Sequence, residues 1–372
     1  MRVVAAPDSF KESMTARQAA LAMERGVHTA LPRAQVCCVP MSDGGEGFVD
    51  AVTSAWGART VEASSTDALG RPVRARYGLA GERAVMDVAS CAGLELVAPD
   101  DRDVMASTTA GLGLLVRDAL SRGVRRILLG IGGSATNDCG MGMLTALGAR
   151  LLDSQGREVA PACPSLLGAV DSSDLSGLDP ALAGTQIEAA CDVTNPLTGP
   201  CGATAVFGPQ KGVREAQVAE LDAVLGHLAE VTGQQQVARE AGAGAAGGLG
   251  FALRAFLGAR LVPGTELVAR AVGLEEAVRG ADLVLTGEGS VDAQTAAGKT
   301  PAGVAQVARA AGVPCVVFAG RIRPGAGALE EMGARLVPIV DETVAVEQAL
   351  REGPENLARA VARYLEALRA DR

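Results

Sequence analysis

The three lysines of this 372-residue chain lie in loops of unusual composition, namely PDSFKES (Lys11), GPQKGV (Lys211) and AAGKTP (Lys299). Of the 34 basic residues only these three are lysine. A surface lysine can become arginine at little cost, whereas a compact ammonium at an anion cannot always be replaced. The three positions are therefore candidates for phosphate or carboxylate binding, and the alternative is that three lysines remain by chance.

Acidic and amide residues follow several short apolar segments. Open α/β sheets bind ligands beyond the carboxyl ends of their strands, so these residues are candidate ligand contacts. A solvated turn is the alternative for each loop. The loops contain Asp8 and Ser9; Asp43, Gly44, Gly45 and Glu46; Asp192 and Asn195; and Glu288 and Asp292.

A glycine-rich loop, GIGGSATNDCGMG at 130–142, follows one predicted strand and precedes a helical pattern. Backbone N–H groups and hydroxyls in such a loop can surround a phosphate or a carboxylate. The alternative is a purely structural turn. The candidate contacts here are Gly132, Gly133, Ser134, Asn137 and Asp138.

Two familiar nucleotide motifs are absent in their full form. The segment 242–247 matches G-x-G-x-x-G but follows a polar stretch instead of a strand, which argues against a dinucleotide fold. Gly298-Lys299-Thr300 ends like a P-loop, but Ala293 replaces its first glycine.

Composition excludes several classes of protein. The net charge of −9 and the lack of a basic block argue against nucleic-acid or anionic-membrane partners. No apolar run is long enough to span a bilayer, and the N-terminus does not resemble a signal peptide. Eight scattered cysteines without a C-x-x-C pair favour a reduced, cytoplasmic protein. With only two histidines, proton transfer is expected from carboxylates.

The alternation of short apolar segments with helical patterns predicts an α/β fold with strands buried on both faces of a parallel sheet. Thr15 and Gln18 predict a capping box at the first helix. Segments 57–89 and 151–159 have β patterns instead. We therefore predict two lobes, a discontinuous Rossmann-like lobe (1–60 and 281–372) and an inserted mixed α/β lobe (61–280). The predicted strands are 3–6, 36–39, 127–129, 187–190, 283–285, 315–318 and 336–339, and the predicted helices 15–29, 109–121, 215–231, 240–257 and 301–311.

Seven motifs in the order APDSFKES, SDGGEG, GIGGSATNDCGMG, CDVTNPLTGPCGA, FGPQKG, GAGAAGGLG and TGEGSVDAQTAAGKTP resemble the bacterial type I glycerate kinases. The resemblance implies ATP-dependent phosphorylation of D-glycerate with Mg²⁺, giving 2-phosphoglycerate, in a cleft between two lobes. Alternatives are a 3-phosphoglycerate product, an NAD-dependent oxidoreductase, or a protein that binds a nucleotide or sugar acid without turnover. The oligomeric state stays open, with a homodimer among the options.

The hypothesis that follows assigns Lys11 to the transferred phosphate. Asp43 and Asp192 are assigned to metal binding and to the substrate hydroxyl, and the two roles are not divided between them. The expected substrate contacts are Asp8, Ser9, Arg71, Gly132, Gly133, Ser134, Asn137, Asp138 and Asn195. The expected ATP contacts are Gly44, Gly45, Glu46, Lys211, Glu288, Asp292 and Lys299.

The chain departs from the family's pattern at two positions. Cys139 stands where the family usually has glycine, and Ser290 stands where it usually has arginine. The second change removes a possible phosphate contact, for which Arg321 or Arg323 could substitute.

Overall fold

The computed structural model describes residues 1–296, 298–341 and 344–370, which form two compact units. Unit 1 comprises Met1–Trp56 and Pro263–Arg372, and unit 2 comprises Gly57–Val262. The sequence-based boundaries lie at 60/61 and 280/281, so residues 57–60 and 263–280 are grouped differently. The predicted segment 281–372 also contains positions 297, 342, 343, 371 and 372, which lie outside the described residues.

In chain order, the strands of the described part are β1 (Arg2–Ala5), β2 (Gln35–Cys38), β3 (Arg59–Thr66), β4 (Pro72–Ala80), β5 (Arg83–Asp87), β6 (Arg126–Gly130), β7 (Arg150–Leu152), β8 (Ser172–Asp174), β9 (Gln186–Ala190), β10 (Arg260–Val262), β11 (Leu283–Val291), β12 (Cys315–Ile322) and β13 (Ala334–Pro338).

The α-helices are α1 (Ala16–Ala30), α2 (Phe48–Trp56), α3 (Ala89–Ala92), α4 (Ala110–Ser121), α5 (Met141–Ala146), α6 (Pro164–Leu167), α7 (Ala203–Phe207), α8 (Glu215–Val231), α9 (Gln235–Ala238), α10 (Ala245–Leu257), α11 (Gly264–Val272), α12 (Leu274–Val278), α13 (Ala293–Ala296), α14 (Thr300–Ala310), α15 (Ala328–Glu331), α16 (Val346–Arg351) and α17 (Gly353–Ala370). Short 3₁₀ helices cover Leu94–Leu96, Pro99–Asp101, Val104–Ala106, Pro180–Gly184 and Pro209–Lys211.

Unit 1 is built on a five-stranded parallel sheet with the strand order β13-β12-β11-β1-β2. The chain moves from β1 to β2 on one side and later from β11 to β13 on the other, so the direction of strand addition reverses between β1 and β11. Such a switch point leaves a crevice beyond the carboxyl ends of the two strands. Helices α1 and α17 pack together and bury the sheet with apolar residues such as Met23 and Leu357.

Unit 2 contains a six-stranded mixed sheet with the order β10-β9-β6-β5-β4-β3. Strands β5, β6, β9 and β10 are parallel, whereas β3 and β4 form antiparallel pairs that continue to β5. Strands β7 and β8 form a separate antiparallel pair. The apolar core of this unit includes Tyr77, Leu112, Leu129 and Phe251.

The predicted α/β class is confirmed, and so are the hairpin pattern at 57–89 and the capping box of α1. The prediction of a helix over 240–257 is wrong at its start. Ala246, Gly247 and Gly248 have left-handed backbone angles, so the regular part of α10 begins after them. Strand β11 is also six residues longer than the predicted 283–285, because its second half pairs with β12 as far as Val291.

No helix in the part of the chain that the structure describes is long and apolar enough to cross a membrane.

Candidate functional site

Asp8, Asp43 and Glu288 lie at the carboxyl-end edge of the sheet of unit 1. Asp8 follows β1 and its N–H donates to the Gly287 carbonyl of β11 (2.9 Å), which ties the loop to the neighbouring strand. Asp43 follows β2, the parallel neighbour of β1 on the other side. The charge of Asp43 raises the pKa values of both Asp8 and Glu288, so the three carboxylates share one electrostatic environment.

Asp8 is the most deeply buried of these acids, with 7% of its surface exposed. Its two oxygens accept hydrogen bonds from the Ser9 N–H (2.6 Å) and from the Thr300 hydroxyl (2.5 Å) at the start of α14. Burial raises the pKa of Asp8 to about 7, and the charges of Asp43 and Glu288 add to the rise. A carboxyl with this pKa exchanges a proton near neutral pH, which suits acid–base chemistry.

Glu288 lies within β11, whereas the sequence predicts that it lies in a loop after that strand. Burial raises the pKa of Glu288, while the Thr295 hydroxyl, which donates to its Oε1, and the Lys299 charge lower it. The pKa of Asp292 is lowered because its carboxylate accepts from backbone N–H groups, that of Thr295 above all. Lys299 is the N-cap of α14 and acts on both acids.

Lys11 lies in the loop between β1 and α1, and its side chain is exposed. The buried Phe10 anchors this loop through its backbone, which pairs with Met14 (N–H to carbonyl, 2.9 Å). Glu12 has a φ of +63°, a conformation that few non-glycine residues adopt. The Lys11 N–H passes so close to Gly289 of β11 that a Cβ there would lie 3.4 Å from it.

Asp43, Gly44, Gly45 and Glu46 form a tight turn that leads into α2. Gly44 has a φ of +93°, and the Gly45 N–H donates to Asp43 Oδ1 (3.2 Å). Ser42 closes the turn, because its hydroxyl accepts from Gly44 and donates to the Glu46 carbonyl. The structure thus brings the sequence-predicted residues of unit 1 to one edge of its sheet.

The glycine-rich loop of unit 2 begins after β6, beside the loop that follows β9. Gly132 and Gly133 are exposed, and Gly133 has a φ of +70°. Ser134 and the residues after it are buried. The Gly133 carbonyl accepts from the Leu94 N–H (2.9 Å), so the neighbouring 3₁₀ helix fixes the loop while its outer backbone stays accessible.

Asp138 is fully buried, and its carboxylate accepts four hydrogen bonds from within unit 2. The donors are the Thr109 N–H (2.7 Å) and hydroxyl (2.8 Å) before α4, and the N–H groups of Gly140 and Gly142 (both 3.0 Å) around the start of α5. Burial raises its pKa, and these donors oppose that rise. Asp138, predicted to bind the substrate, is thus engaged in joining two helix N-termini.

Asn137 and Lys211 also lie behind the loop. Asn137 Nδ2 donates to the Thr204 hydroxyl (3.0 Å), while its Oδ1 is buried with no protein partner. Lys211, predicted to contact ATP, is 2% exposed, and its ammonium donates to atoms of Ser134 and Thr136.

The loop after β9 carries the two other predicted contacts of this edge. Asp192 is exposed, and Asn195 Nδ2 donates to the Cys201 carbonyl (2.8 Å). Asp192 belongs to unit 2 and Asp43 to unit 1.

Arg71 lies at a turn between β3 and β4 and is held by Asp67. Arg71 Nε donates to Asp67 Oδ2 (2.5 Å), and Asp67 is buried whereas the Arg71 side chain is 49% exposed. The carboxylate also accepts from the N–H groups of Leu69 and Arg71, which makes the turn rigid. The terminal guanidinium nitrogens can therefore meet an anion in a fixed orientation.

Comparison with known proteins gives a consistent result. The model of the glycerate kinase family matches residues 3–369. The chain belongs to the glycerate kinase family. It is 45% identical to "Glycerate kinase" of Bacillus subtilis (96% of this chain and 95% of the relative) and 44% identical to "Glycerate 2-kinase" of Escherichia coli (97% and 96%). A crystal structure named for glycerate kinase 2 of Salmonella typhimurium matches with a TM-score of 0.88 at 42% identity, over 100% of this chain and 99% of that one.

The two positions at which this chain was expected to depart from the family's pattern have clear structural settings. Cys139 has a φ of +58°, the left-handed region that favours glycine. Ser290 on β11 is the Cα partner of Arg321 on β12, and its buried hydroxyl has no hydrogen-bond partner. Arg323 lies close enough to Asp292 for its charge to lower the pKa of that acid.

Carboxylates are the side chains of this family member that could bind Mg²⁺. Within the residues that the structure describes, no three or more histidine, cysteine or acidic side chains are grouped to hold a metal ion. Mg²⁺ does not need such a cage, because it usually binds through one or two carboxylates together with substrate phosphates. Asp8, Asp43 and Glu288 carry carboxylate oxygens at this edge of unit 1, which is the kind of donor that Mg²⁺ delivered with a nucleotide accepts.

Several residues that position the site were not identified from the sequence. Most are hydroxyl side chains whose partners lie far away in the chain, which no local motif reveals. Asp67 and Thr295 have local partners, since Asp67 lies four residues before Arg71 in a glycine-containing turn and Thr295 lies seven residues after Glu288. The residues are Asp67, Ser107, Thr109, Thr204, Thr295 and Thr300.

Proposed function

We propose that this protein transfers the γ-phosphoryl group of ATP to the 2-hydroxyl of D-glycerate, which gives ADP and 2-phosphoglycerate. The observation that carries the proposal is the 44% identity to the "Glycerate 2-kinase" of Escherichia coli over 97% of this chain. The two sheet edges supply what such a reaction requires, namely carboxylates, cations and accessible loop N–H groups.

The reaction replaces one phosphorus–oxygen bond with another. The substrate hydroxyl oxygen attacks the γ-phosphorus, the bond to the β-phosphate oxygen breaks, and the hydroxyl proton passes to a carboxylate. Asp43 and Asp192 are our candidates for this carboxylate and for a magnesium ligand. Lys11 is our candidate for the cation that neutralises the transferred phosphoryl group, because its exposed ammonium extends from the loop beside β11.

Unit 1 provides the acidic edge in this proposal. Mg²⁺, when bound, would neutralise charge on the ATP phosphates. Glu288 is a further acid at this edge, where burial raises its pKa and the charge of Asp43 adds to the rise. Asp8, with a pKa of about 7, can hold a proton close to these groups. The further ATP contacts that we propose in this unit are Gly44, Gly45, Glu46, Asp292 and Lys299, with Ser9 beside the substrate.

Unit 2 provides the anion-binding edge. The exposed backbone of Gly132 and Gly133 can donate N–H groups to a carboxylate or a phosphate. The Arg71 guanidinium, oriented by Asp67, adds a planar pair of donors. We propose that these groups bind an anionic group of the substrate, with Asn195 at the rim of the same sheet edge.

We also propose that the enzyme works in the cytoplasm on small molecules and without a nucleic-acid partner. The support is the acidic net charge and the eight free cysteines, four of them buried.

A coupled assay of ADP release with D-glycerate tests this proposal, and ³¹P NMR of the product distinguishes 2- from 3-phosphoglycerate. We expect Asp43→Asn to lower kcat by at least about 100-fold, as expected for loss of a base or a metal ligand. The control is Asp50→Asn in the first turn of α2, an exposed acid seven residues away. Hydride transfer followed at 340 nm without ADP release would favour an oxidoreductase instead. ADP release with neither product would leave only ATP hydrolysis.

A further inference from the structure

The ammonium of Lys211 lies directly behind the glycine-rich loop of unit 2. Lys211 ends the 3₁₀ helix Pro209–Lys211, and Gly212, with a φ of +93°, turns the chain away after it. Lys211 Nζ donates to Ser134 Oγ (3.0 Å) and to the Thr136 carbonyl (2.7 Å). Both acceptors belong to the loop whose outer backbone, at Gly132 and Gly133, is accessible.

The burial of this cation is energetically unfavourable. Burial lowers the pKa of Lys211 to about 7, and the charge of Asp138 only partly opposes this. Asp138 does not accept a hydrogen bond from Lys211, because its carboxylate accepts from four other donors. A methionine of similar length would fill the space without a buried charge. The ammonium therefore has a role beyond filling space, and its hydrogen bonds to Ser134 Oγ and the Thr136 carbonyl indicate that role.

The direction of the Ser134 hydroxyl follows from these bonds. In its ammonium form Lys211 has three N–H donors and no acceptor, so Ser134 Oγ accepts from it and directs its own hydrogen elsewhere. The backbone on either side is fixed, since Gly133 O accepts from Leu94 N–H and Ala135 N–H donates to Ala92 O (2.8 Å). Ser134 is thus held with its hydroxyl as a donor at the edge of the anion-binding loop.

Arg102 holds the lysine's own turn in place. Its guanidinium donates to the Gln210 carbonyl (3.1 Å) and to the Leu94 carbonyl (3.2 Å). The same side chain therefore fixes the residue before Lys211 and the 3₁₀ helix that pairs with the loop. Lys211, the loop and its neighbour are connected through named hydrogen bonds.

We propose that Lys211 is a positioning residue that shapes the loop at 132–136 and orients the Ser134 hydroxyl as a donor to an anionic group of the substrate. This inference rests on the proposed kinase function. It places Lys211 behind the loop and not in contact with ATP.

Kinetics of Lys211→Met, Ser134→Ala and the double variant test the proposal. Ser134→Ala should raise the KM of one substrate about tenfold, the effect of one hydrogen bond, with kcat nearly unchanged. Lys211→Met should raise the same KM by at least that factor, and the double variant should be no worse than Lys211→Met alone. A KM effect for D-glycerate identifies a carboxylate or hydroxyl on the loop, and one for ATP identifies a phosphate.

Ser107→Ala is the matched control. Ser107 is also buried and contacts the glycine-rich loop at Asn137, where its hydroxyl accepts from the Asn137 N–H (3.2 Å) and donates to the Val104 carbonyl. Its kinetic effect should multiply with that of Lys211→Met, whereas the effect of Ser134→Ala should not. If Lys211→Met does not fold, Ser134→Ala alone decides, because an unchanged KM for both substrates would overturn the proposal.

Two failures are distinguishable. Wild-type protein that releases no ADP with D-glycerate would overturn the proposed function and the inference with it. Wild-type turnover combined with fully multiplicative effects of Lys211→Met and Ser134→Ala would overturn the inference alone.

Discussion

Replacement of Asp138 by asparagine should destabilise unit 2 strongly, although the two side chains have nearly the same shape. If the amide oxygen takes the place of Oδ2, it keeps the bonds from Thr109 and Gly142. The amide nitrogen then faces the Gly140 N–H, 3.0 Å from the original Oδ1, where two donors oppose each other. The altered side chain therefore loses one of four hydrogen bonds and weakens the other three.

The magnitude follows from these contacts. A hydrogen bond to a charged group contributes about 1.5–3 kcal/mol, and the unsatisfied Gly140 N–H costs about 1–3 kcal/mol more. Bonds to a neutral oxygen are also weaker than those to a carboxylate. Removal of the buried charge offsets part of this loss, because burial raises the pKa of Asp138. The free energy of unfolding of unit 2 should fall by about 3 kcal/mol.

Hydrogen exchange of the backbone amides measures this change where it occurs. The Thr109, Gly140 and Gly142 amides should exchange about 100-fold faster in Asp138→Asn, since about 1.4 kcal/mol corresponds to a factor of ten. The control is Asp153→Asn in the same unit, where a partly exposed carboxylate accepts from the Gln155 and Arg157 N–H groups and from the exposed Arg157 guanidinium, and water can replace the weakened bonds. This control should change the stability by less than about 1 kcal/mol.

Unchanged exchange in Asp138→Asn together with loss of activity would refute this reasoning. Such a result would mean that Asp138 contacts the substrate directly, as its position in the glycine-rich motif predicts.

Three further predictions concern other parts of the molecule. Because the pKa of Asp8 is raised to about 7, the free energy of unfolding of the wild type should fall by up to about 1.4 kcal/mol per pH unit as the pH rises from about 4 to 7. Asp8→Asn should remove this slope in urea unfolding followed by the fluorescence of the single tryptophan, which lies in unit 1, and an equal slope in both proteins would contradict the prediction. Gly247→Ala should lower the free energy of unfolding by at least about 2 kcal/mol in thermal unfolding, because its Cβ would lie 2.1 Å from a carbonyl oxygen. Gly258→Ala, also at positive φ but with nothing within 4 Å, should lower it by about 1 kcal/mol, and equal losses would contradict the steric argument. Asp67→Asn should raise the KM of the anionic substrate about tenfold in steady-state assays through weaker orientation of Arg71, and an unchanged KM would count against that arrangement.

The sequence predicts the sheet edges well because local patterns determine them. Short apolar segments followed by glycine and acidic residues identify β1, β6 and β9. Parallel pairing brings the loops after β6 and β9 to one edge of the sheet of unit 2, and the loop after β1 lies at the carboxyl-end edge of the sheet of unit 1. The capping box of Thr15 and Gln18 is equally local, and both of its hydrogen bonds are present. The resemblance to glycerate kinases, recognised from seven motifs, is confirmed by the family model over residues 3–369.

Long-range contacts account for what the sequence does not predict. Glu288 lies inside β11 because that strand pairs with β12 far beyond its apolar start. Helices α11 and α12 pack against α2 and α14 of unit 1, which is why residues 263–280 are grouped with that unit. The burial of Lys211 likewise depends on a carbonyl 75 positions away along the chain. The scarcity of lysine in this chain identifies Lys211 as unusual but does not distinguish contact with a ligand from support of a loop.

The left-handed start of α10 illustrates a third kind of failure. Half of the residues in the stretch 241–250 of the predicted helix are glycine, a poor helix former, and Gly247 and Gly248 pass against the backbone of Thr136 and Cys139. Close packing of backbone on backbone requires positive φ angles here and prevents a helix. These glycines support the glycine-rich loop that follows β6.

The most direct test of the central claim is ³¹P NMR of a reaction containing the purified protein, ATP, Mg²⁺ and D-glycerate. The account predicts that ATP is converted to ADP with an equal amount of 2-phosphoglycerate. ATP left unchanged, or ADP formed with inorganic phosphate as the sole other product, would contradict it.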